Sequence, residues 1–233
     1  MGTFMNTNVL VIAAHPDDEV LGCGGSMAKW AQDGLNVHVL IMAEGATSRD
    51  RQRDRALRKE TLSILAQSAK HSAKILGIDT IELLDFPDNR MDSVDLIEVV
   101  KTIEDRIDKL KPATVVTHHS GDLNIDHQII HQAVITACRP QPRQTVKRIL
   151  AFEVPSSTEW RPSDYGNLFI PNWYEDITDN LSTKMNALEA YQCEMRSWPH
   201  ARSIRAVEHL ARWRGASAGF EAAESFMLIR NIT

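Results

Sequence analysis

The sequence predicts a doubly wound α/β fold, a Rossmann-like, mostly parallel sheet with helices on both faces. Three observations predict it. Asn8–Ala14 (NVLVIAA) is a short apolar run of β-branched type between polar flanks, which suits a strand buried on both faces. Val20–Asp33 follows with Leu21, Met27, Ala28 and Ala31 on or near one helical face, and Gly34 stands where a helix ends. Asn36–Met42 (NVHVLIM) is a second apolar run. Strand, tight turn, helix, Gly and strand make one βαβ unit.

The alternation continues along the chain. Arg51–Leu76 reads as largely helical, broken near His71 and stopped by Gly77. Thr80–Leu84 reads as a strand and Ser93–Leu110 as a helix with Ser93 at its N-cap. Ala113–Thr117 is a strand, Asp126–Cys138 a helix and Arg148–Phe152 a strand. Right-handed crossovers between parallel strands then place helices on both faces of the sheet. Pro155–Tyr174 changes character. Rich in Pro, Trp, Ser and Asn, it reads as a long loop with one short strand at Leu168–Ile170. Asp179–Cys193 and Ser203–Ala216 read as helices, and Glu224–Arg230 as a final strand. No repeat, low-complexity tract or clear linker divides the chain, so residues 1–233 are expected to form a single domain.

Composition narrows the function. Hydrophobic residues make up 43% and charged residues 24%, which supports a packed core and argues against disorder. No apolar stretch approaches the ~18–20 residues that cross a bilayer, so no transmembrane segment is expected. The opening MGTFMNTN has no basic n-region or apolar signal core, and Asn6 fills the position where myristoylation requires Ser or Thr. The expected location is cytoplasmic. A formal net charge of −5 disfavours a nucleic-acid partner. Between Arg49 and Lys59 lie five arginines and one lysine, either a solvated face or a site for an anionic or polar substrate. Cys23, Cys138 and Cys193 are an odd, widely spaced set and read as reduced thiols.

The chemistry concentrates at two strand ends. Ile12–Gly25 reads IAAHPDDEVLGCGG, placing His15, Asp17, Asp18 and Glu19 where ligands bind in open α/β sheets. No GxGxxG pattern is present, and the carboxylates would repel a pyrophosphate. In a tight turn His15 and Asp18 can share one metal ion, leaving Asp17 to move a proton. The competing reading is that both acids cap the following helix and His15 simply packs. A third ligand should come from another strand end. THHSGDLNIDHQIIHQA follows ATVVT there, with four of the nine histidines: His118, His119, His127 and His131. His127 opens its helix near the strand end and is the best placed. His131, one turn deeper, is better suited to packing.

AHPDDEVLGCGG followed by DLNIDHQ resembles the PIG-L/LmbE-like zinc-dependent N-deacetylases, α/β enzymes that remove acyl groups from amino sugars and glycoconjugates. The resemblance extends to Pro87–Met91 (PDNRM), to YQCEMRSWPHARS and to AAESFMLIR. It implies His15, Asp18 and His127 as ligands of Zn2+ (or of another divalent metal such as Fe2+ or Mn2+) and Asp17 as general base. It implies Asp88 as a sugar-contacting residue and Arg58 as a substrate-binding one. Many members carry a second His three residues before the zinc-binding one. Here that position is Asn124, which can donate a hydrogen bond but cannot carry a proton at neutral pH. His200 and Arg202 are the candidates to replace it, and Asp126 is a candidate to orient His127 or its neighbours. The expected function is removal of an N-acetyl group from an amino sugar or glycoconjugate, by a chain that could form a homo-oligomer. Two alternatives remain open: a zinc amidase acting on a non-sugar N-acyl compound, and a non-catalytic metal- or nucleotide-binding module.

Overall fold

The computed structural model describes residues 7–162 and 166–233. The segment read for targeting signals therefore lies, up to Asn6, outside the described residues. So does the middle of the Pro155–Tyr174 loop, residues 163–165.

Strand β1 (Asn8–Ala13) lies between β2 (Asn36–Ala43) and β4 (Thr114–His118), parallel to both. β3 (Thr80–Phe86) pairs with β2 and β5 (Arg148–Phe152) with β4, again parallel. β7 (Ala223–Asn231) and β6 (Trp173–Asp176) add antiparallel pairings, giving the order β3-β2-β1-β4-β5-β7-β6. Side chains alternate across this sheet. Val9, Val11, Val39, Ile41 and Val116 face one core, packed by α1 (Asp18–Gln32), α2 (Lys59–Leu76), α5 (Leu181–Glu189) and α6 (Ile204–Ala216). Leu10, Ile12, Leu40, Met42 and Val115 face the other, packed by α3 (Leu96–Leu110) and α4 (Ile125–Ala137). Two-sided burial is why these strands are predominantly apolar along their length. The strand order reverses between β1 and β4, so the loops leaving those two strands open a crevice at their carboxyl ends.

Several expected elements differ. The second helix begins at Lys59, not Arg51, and runs unbroken through His71. Its expected first turns are held in turn geometry instead. Arg53 and Arg55 reach down to the buried Glu44, and Asp54 accepts from the backbone N–H groups of Ala56 and Leu57. Ser93 does not cap α3. It closes a 3₁₀ turn, its hydroxyl donating to the carbonyl of Arg90, and Asp95 takes the N-cap position. Leu168–Ile170 is not a strand; the strand lies later, at Trp173–Asp176, because that segment is the one in register with β7. The helix expected over Asp179–Cys193 is shorter, Leu181–Glu189.

Helix α1 is almost wholly buried and kinks at Cys23, where φ is −148° and ψ 27°. Its glycines admit protein, not ligand. A Cβ on Gly22 would lie 2.3 Å from the Phe152 ring, and one on Gly25 would lie 2.7 Å from Ile177. At the kink Lys184 donates to the carbonyl of Leu21 at 2.9 Å and to Glu224 at 2.5 Å. Glu224 in turn accepts from the N–H groups of Gly25 and Ser26 at 2.9 and 2.6 Å. Cation and carboxylate thus occupy the carbonyl and amide ends that a broken helix exposes.

Candidate active site

The crevice gathers loops from five strand ends. β1 delivers His15, Asp17 and Asp18; β2 leads to a 3₁₀ turn ending at Arg49; β3 leads to Asp88 and Asn89. β4 leads to Asp122 and the first turn of α4, and β5 leads to Ser156 and Ser157. Residues before α6 add Arg202. All of these but Asp122 line a cavity of about 200 Å³.

His15 stands between two groups of acids. Its Nδ1 is 3.1 Å from Asp18 Oδ2, while Nε2 is 3.0 Å from Asp126 Oδ2 and 3.3 Å from Asp88 Oδ1. His127 Nε2 lies 3.1 Å from the same Asp18 oxygen, and its Nδ1 lies 3.2 Å from Asp122 Oδ1. Both His127 contacts are within ion-pair range but off hydrogen-bond alignment, so two buried ring nitrogens have no hydrogen-bond partner among the described residues. Unpaired buried nitrogens are costly, and a cation is the partner that satisfies a deprotonated one. His15, Asp18 and His127 offer one ligand atom each, all within 4.8 Å of one another. A second set, His15, Asp88 and Asp126, meets the same distance test. Its carboxylates are already engaged, however. Asp126 accepts from the backbone of Asn89 and Met91, and Asp88 accepts from Ser48 N–H and the Asn89 amide. Two imidazoles and a carboxylate are a donor set that suits Zn2+, and the orphaned nitrogens favour the first trio.

The electrostatics of the cluster call for positive charge. Burial opposes a charged ring at His127, but the carboxylates of Asp18 and Asp122 outweigh it and lift its pKa to about 9. At His15 burial is likewise overcome, by Asp126 and Asp18, and the pKa stands well above the usual imidazole value. Asp18 is held well below the carboxylate range because His127 and His15 together outweigh its burial. His118, stacked on His127 at 3.8 Å between ring centroids, is driven well below 6.5 by burial and by the neighbouring ring. Its Nε2 accepts from Ala14 N–H at 2.8 Å, which ties β4 to the strand end beside His15.

Asp17 sits apart. Its backbone has φ 112°, a left-handed value that disfavours any side chain, and the Glu19 carboxylate accepts its N–H at 3.1 Å. Glu19 is itself fixed by the Tyr191 hydroxyl, which donates to it at 2.6 Å. Burial pushes the Asp17 carboxyl well above the ordinary carboxylate range, and the Arg202 guanidinium at 3.2 Å pulls it back.

The remaining expected residues divide. Asp88, Asn124 and Arg202 line the cavity. Asn124 also caps α4, accepting from Asp126 N–H, and its amide donates to Asn89. Asp126 lies against His15 and not His127; Asp122 is the acid facing His127, and Ser157 and Thr158 donate to it. Arg58 does not reach the cavity, because Asp50 binds its guanidinium through two oxygens at 2.6 and 2.7 Å. His200 is not a lining residue either; its Nδ1 accepts Arg202 N–H at 3.0 Å. Sequence reasoning missed Asp122 and Glu194, and of the basic run Arg49–Lys59 it is Arg49 that lines the cavity. Arg49 and Glu194 pair there at 2.6 Å across 145 residues of chain, a contact that no local pattern signals.

A buried His–Asp–His trio whose ligand atoms could share one cation lies beside a strained Asp with a raised pKa, at a topological switch point. The chain belongs to the PIG-L family: the family described as "PIG-L: GlcNAc-PI de-N-acetylase" matches residues 10–138. It is 31% identical to the uncharacterized deacetylase YaiS of Escherichia coli (strain K12), over 79% of this chain and 90% of that one. It is 27% identical to the diacetylchitobiose deacetylase of Thermococcus kodakarensis, over 96% and 84%. Among solved structures, the N,N'-diacetylchitobiose deacetylase of Pyrococcus horikoshii superposes with TM-score 0.76 at 20% identity, covering 96% of this chain and 84% of that one. The 4-carboxy-2-hydroxymuconate hydratase GalB of Pseudomonas putida KT2440 superposes equally well, at 0.76 and 22% identity, covering 97% and 98%. One fold therefore serves two chemistries, and the reaction has to be argued from the site. No helix among the described residues is long and apolar enough to cross a membrane.

Proposed function

We propose that the protein is a metal-dependent N-deacetylase that releases the acyl group from an N-acetylated amino sugar or its glycoconjugate. The observation that carries this reading is the convergence of His15, Asp18 and His127 around one point, with Asp17 beside them and not among them. His15, Asp18 and His127 would hold Zn2+, and Fe2+ or Mn2+ suit the same donors. Such an ion supplies Lewis acidity: it lowers the pKa of water from about 15.7 to about 7 and polarises the acyl carbonyl.

The chain's own residues do the rest. Asp17 accepts a proton from the attacking water and delivers it to the departing amine nitrogen, a role that suits a carboxylate whose pKa burial has raised. Arg202 offsets part of the burial that raises that carboxyl, and it presents its guanidinium to the negative charge that develops on the carbonyl oxygen. Asp126 fixes His15 by a hydrogen bond and Asp122 faces His127 at ion-pair distance, each from the ring edge away from Asp18. Asp88, Asn89 and Asn124 give the cavity wall the acceptors and donors that sugar hydroxyls need. The match to curated amino-sugar deacetylases supports the substrate class.

Protein loaded with Zn2+, Fe2+ or Mn2+ and incubated with a panel of N-acetylated amino sugars and conjugates should release free amine, and chelation should abolish the release. His127→Ala should contain no stoichiometric metal by elemental analysis. A full complement of metal in that variant, or no amine from any substrate, would overturn the reading.

A further inference from the structure

Three consecutive hydroxyl residues, Ser156, Ser157 and Thr158, follow β5, and they divide between two partners. Ser157 and Thr158 both donate to Asp122, which faces His127. Ser156 serves another group: its Oγ accepts the Arg202 Nε–H at 3.1 Å. Ser156 lines the cavity, is 9% exposed and has φ 70°, a left-handed value that disfavours any side chain. We propose that Ser156 is a positioning residue of the reaction, its hydroxyl fixing the Arg202 guanidinium between Asp17 and the cavity. The proposal rests on the deacetylase reading above and deepens it.

A long arginine side chain has many rotamers, and a guanidinium stabilises developing charge best when it is already in place. Arg202 is held at two points of its planar head. Nε–H donates to Ser156 and Nη1–H donates to Asp17 Oδ2 at 3.2 Å. One such bond would leave the head free to turn about the contact, whereas two fix its plane. The main chain is held as well, because the Arg202 N–H donates to His200 Nδ1 at 3.0 Å. The other anchor, Ser156, is held in turn. Its N–H donates to Glu159 Oε1 at 2.7 Å. The Ser157 N–H is shared between Glu159 Oε2 and the Val154 carbonyl, both at 3.2 Å. These bonds over-determine the turn and keep Ser156 in a conformation that glycine would adopt without strain. A side chain retained at such a position points to a use for it, and the use on view is the bond to Arg202. One short turn thus braces two groups at once, Arg202 through Ser156 and Asp122 through Ser157 and Thr158.

The test is a double-mutant cycle on metal-loaded protein, run with whichever N-acetylated amino sugar the wild type hydrolyses. Ser156→Ala removes the hydroxyl and keeps the strained backbone, and Ser156→Gly removes both. Each should lower kcat roughly ten- to a hundredfold, the range of a hydrogen bond to a charged group. KM should stay within about twofold of wild type, since the bond acts on charge that develops only in the transition state. Metal content should not change. In an Arg202→Met background, Ser156→Ala should cost no more than about twofold further. A methylphosphonamidate analogue of the amino sugar, tetrahedral and anionic like the transition state, gives a readout without turnover, and Ser156→Ala should weaken its binding by the factor lost in kcat. Undiminished kcat in both serine variants overturns the proposal. So does an equal loss with and without Arg202, or failure of the strain-free Ser156→Gly to fold, either of which would make the hydroxyl a support of the fold. A loss confined to KM also overturns it, by placing the hydroxyl on the bound substrate instead. Wild-type protein that releases no amine removes the deacetylase reading and the proposal with it, whereas wild-type release with undiminished serine variants removes the proposal alone.

Discussion

Helix α1 begins in one buried cluster of charge and is spliced at its middle by another, and the two are built differently. At the splice, Lys184 and Glu224 are both nearly inaccessible, and they meet each other, one carbonyl and two backbone N–H groups. At the helix start, Asp17, Asp18, His15 and His127 crowd together with a raised carboxyl, raised imidazoles, two unpaired ring nitrogens and a left-handed backbone. The splice is closed within the protein. The start keeps two His127 ring nitrogens without a hydrogen-bond partner among the described residues, which the proposed metal would help to satisfy. Strain and unmet charge gather where a ligand is expected, while a cluster of like burial a few residues away is satisfied.

The sharpest break of that contrast is Asp17→Asn. The amide cannot move a proton, so kcat should fall about 10²–10⁴-fold. Metal content should stay at the wild-type level, because Asp17 is not among the three ligand residues. Stability should change little, since the substitution also removes a carboxylate that burial and the neighbouring acids disfavour. Near-wild-type turnover with metal bound would show that another group is the base.

The opposite profile is expected at the splice. Glu224→Gln leaves the Lys184 ammonium buried without its carboxylate. Removing one partner of a buried pair costs about 3–5 kcal/mol. Urea unfolding should show that loss, and Lys184→Met combined with Glu224→Gln should recover much of it. A single-variant loss under about 1 kcal/mol would mean that the kink is held by packing and not by the ion pair.

The same contrast explains what the sequence reveals. His15, Asp17 and Asp18 fall within four residues at a strand end, and His127 opens the helix after another, so local pattern and topology suffice to bring them together. β1, β2, β4 and β5 are equally legible, because strands buried on both faces leave continuous apolar runs. The partners are not legible. Asp122 acquires its role only when Ser157 and Thr158 fold back onto it, and Glu224 lies 198 residues from Ser26. Arg58 sits where the family resemblance expects a substrate ligand, yet Asp50, eight residues earlier, binds it first. Edge strand β6 is short and half-buried, so it lacks the apolar run that marks the central strands.

Asp122 offers a gentler way to sharpen the comparison. It touches no candidate substrate position and acts through His127. Asp122→Asn should weaken Zn2+ binding about 10–100-fold, measured by competition with a chelator, while saturating metal restores most of the activity. Unchanged affinity would assign Asp122 to the loop at Ser157 alone.

The smallest effect separates the Asp17 backbone from its side chain. Asp17→Asn and Asp17→Gly both remove the carboxylate, so both should be inactive. They differ at φ 112°, where a side chain is strained by about 1–3 kcal/mol and glycine is not. Glycine's freer unfolded chain offsets part of that relief, by roughly 0.5–1 kcal/mol. The Gly variant should therefore be the more stable of the pair by about 1 kcal/mol in urea unfolding, an inactive protein made sturdier. The Glu19 carboxylate that accepts the Asp17 N–H would then be holding the chain against its own preference so that one acid points into the cavity. Equal stability of the two variants would show that no strain is stored there and that the turn adopts this shape unaided.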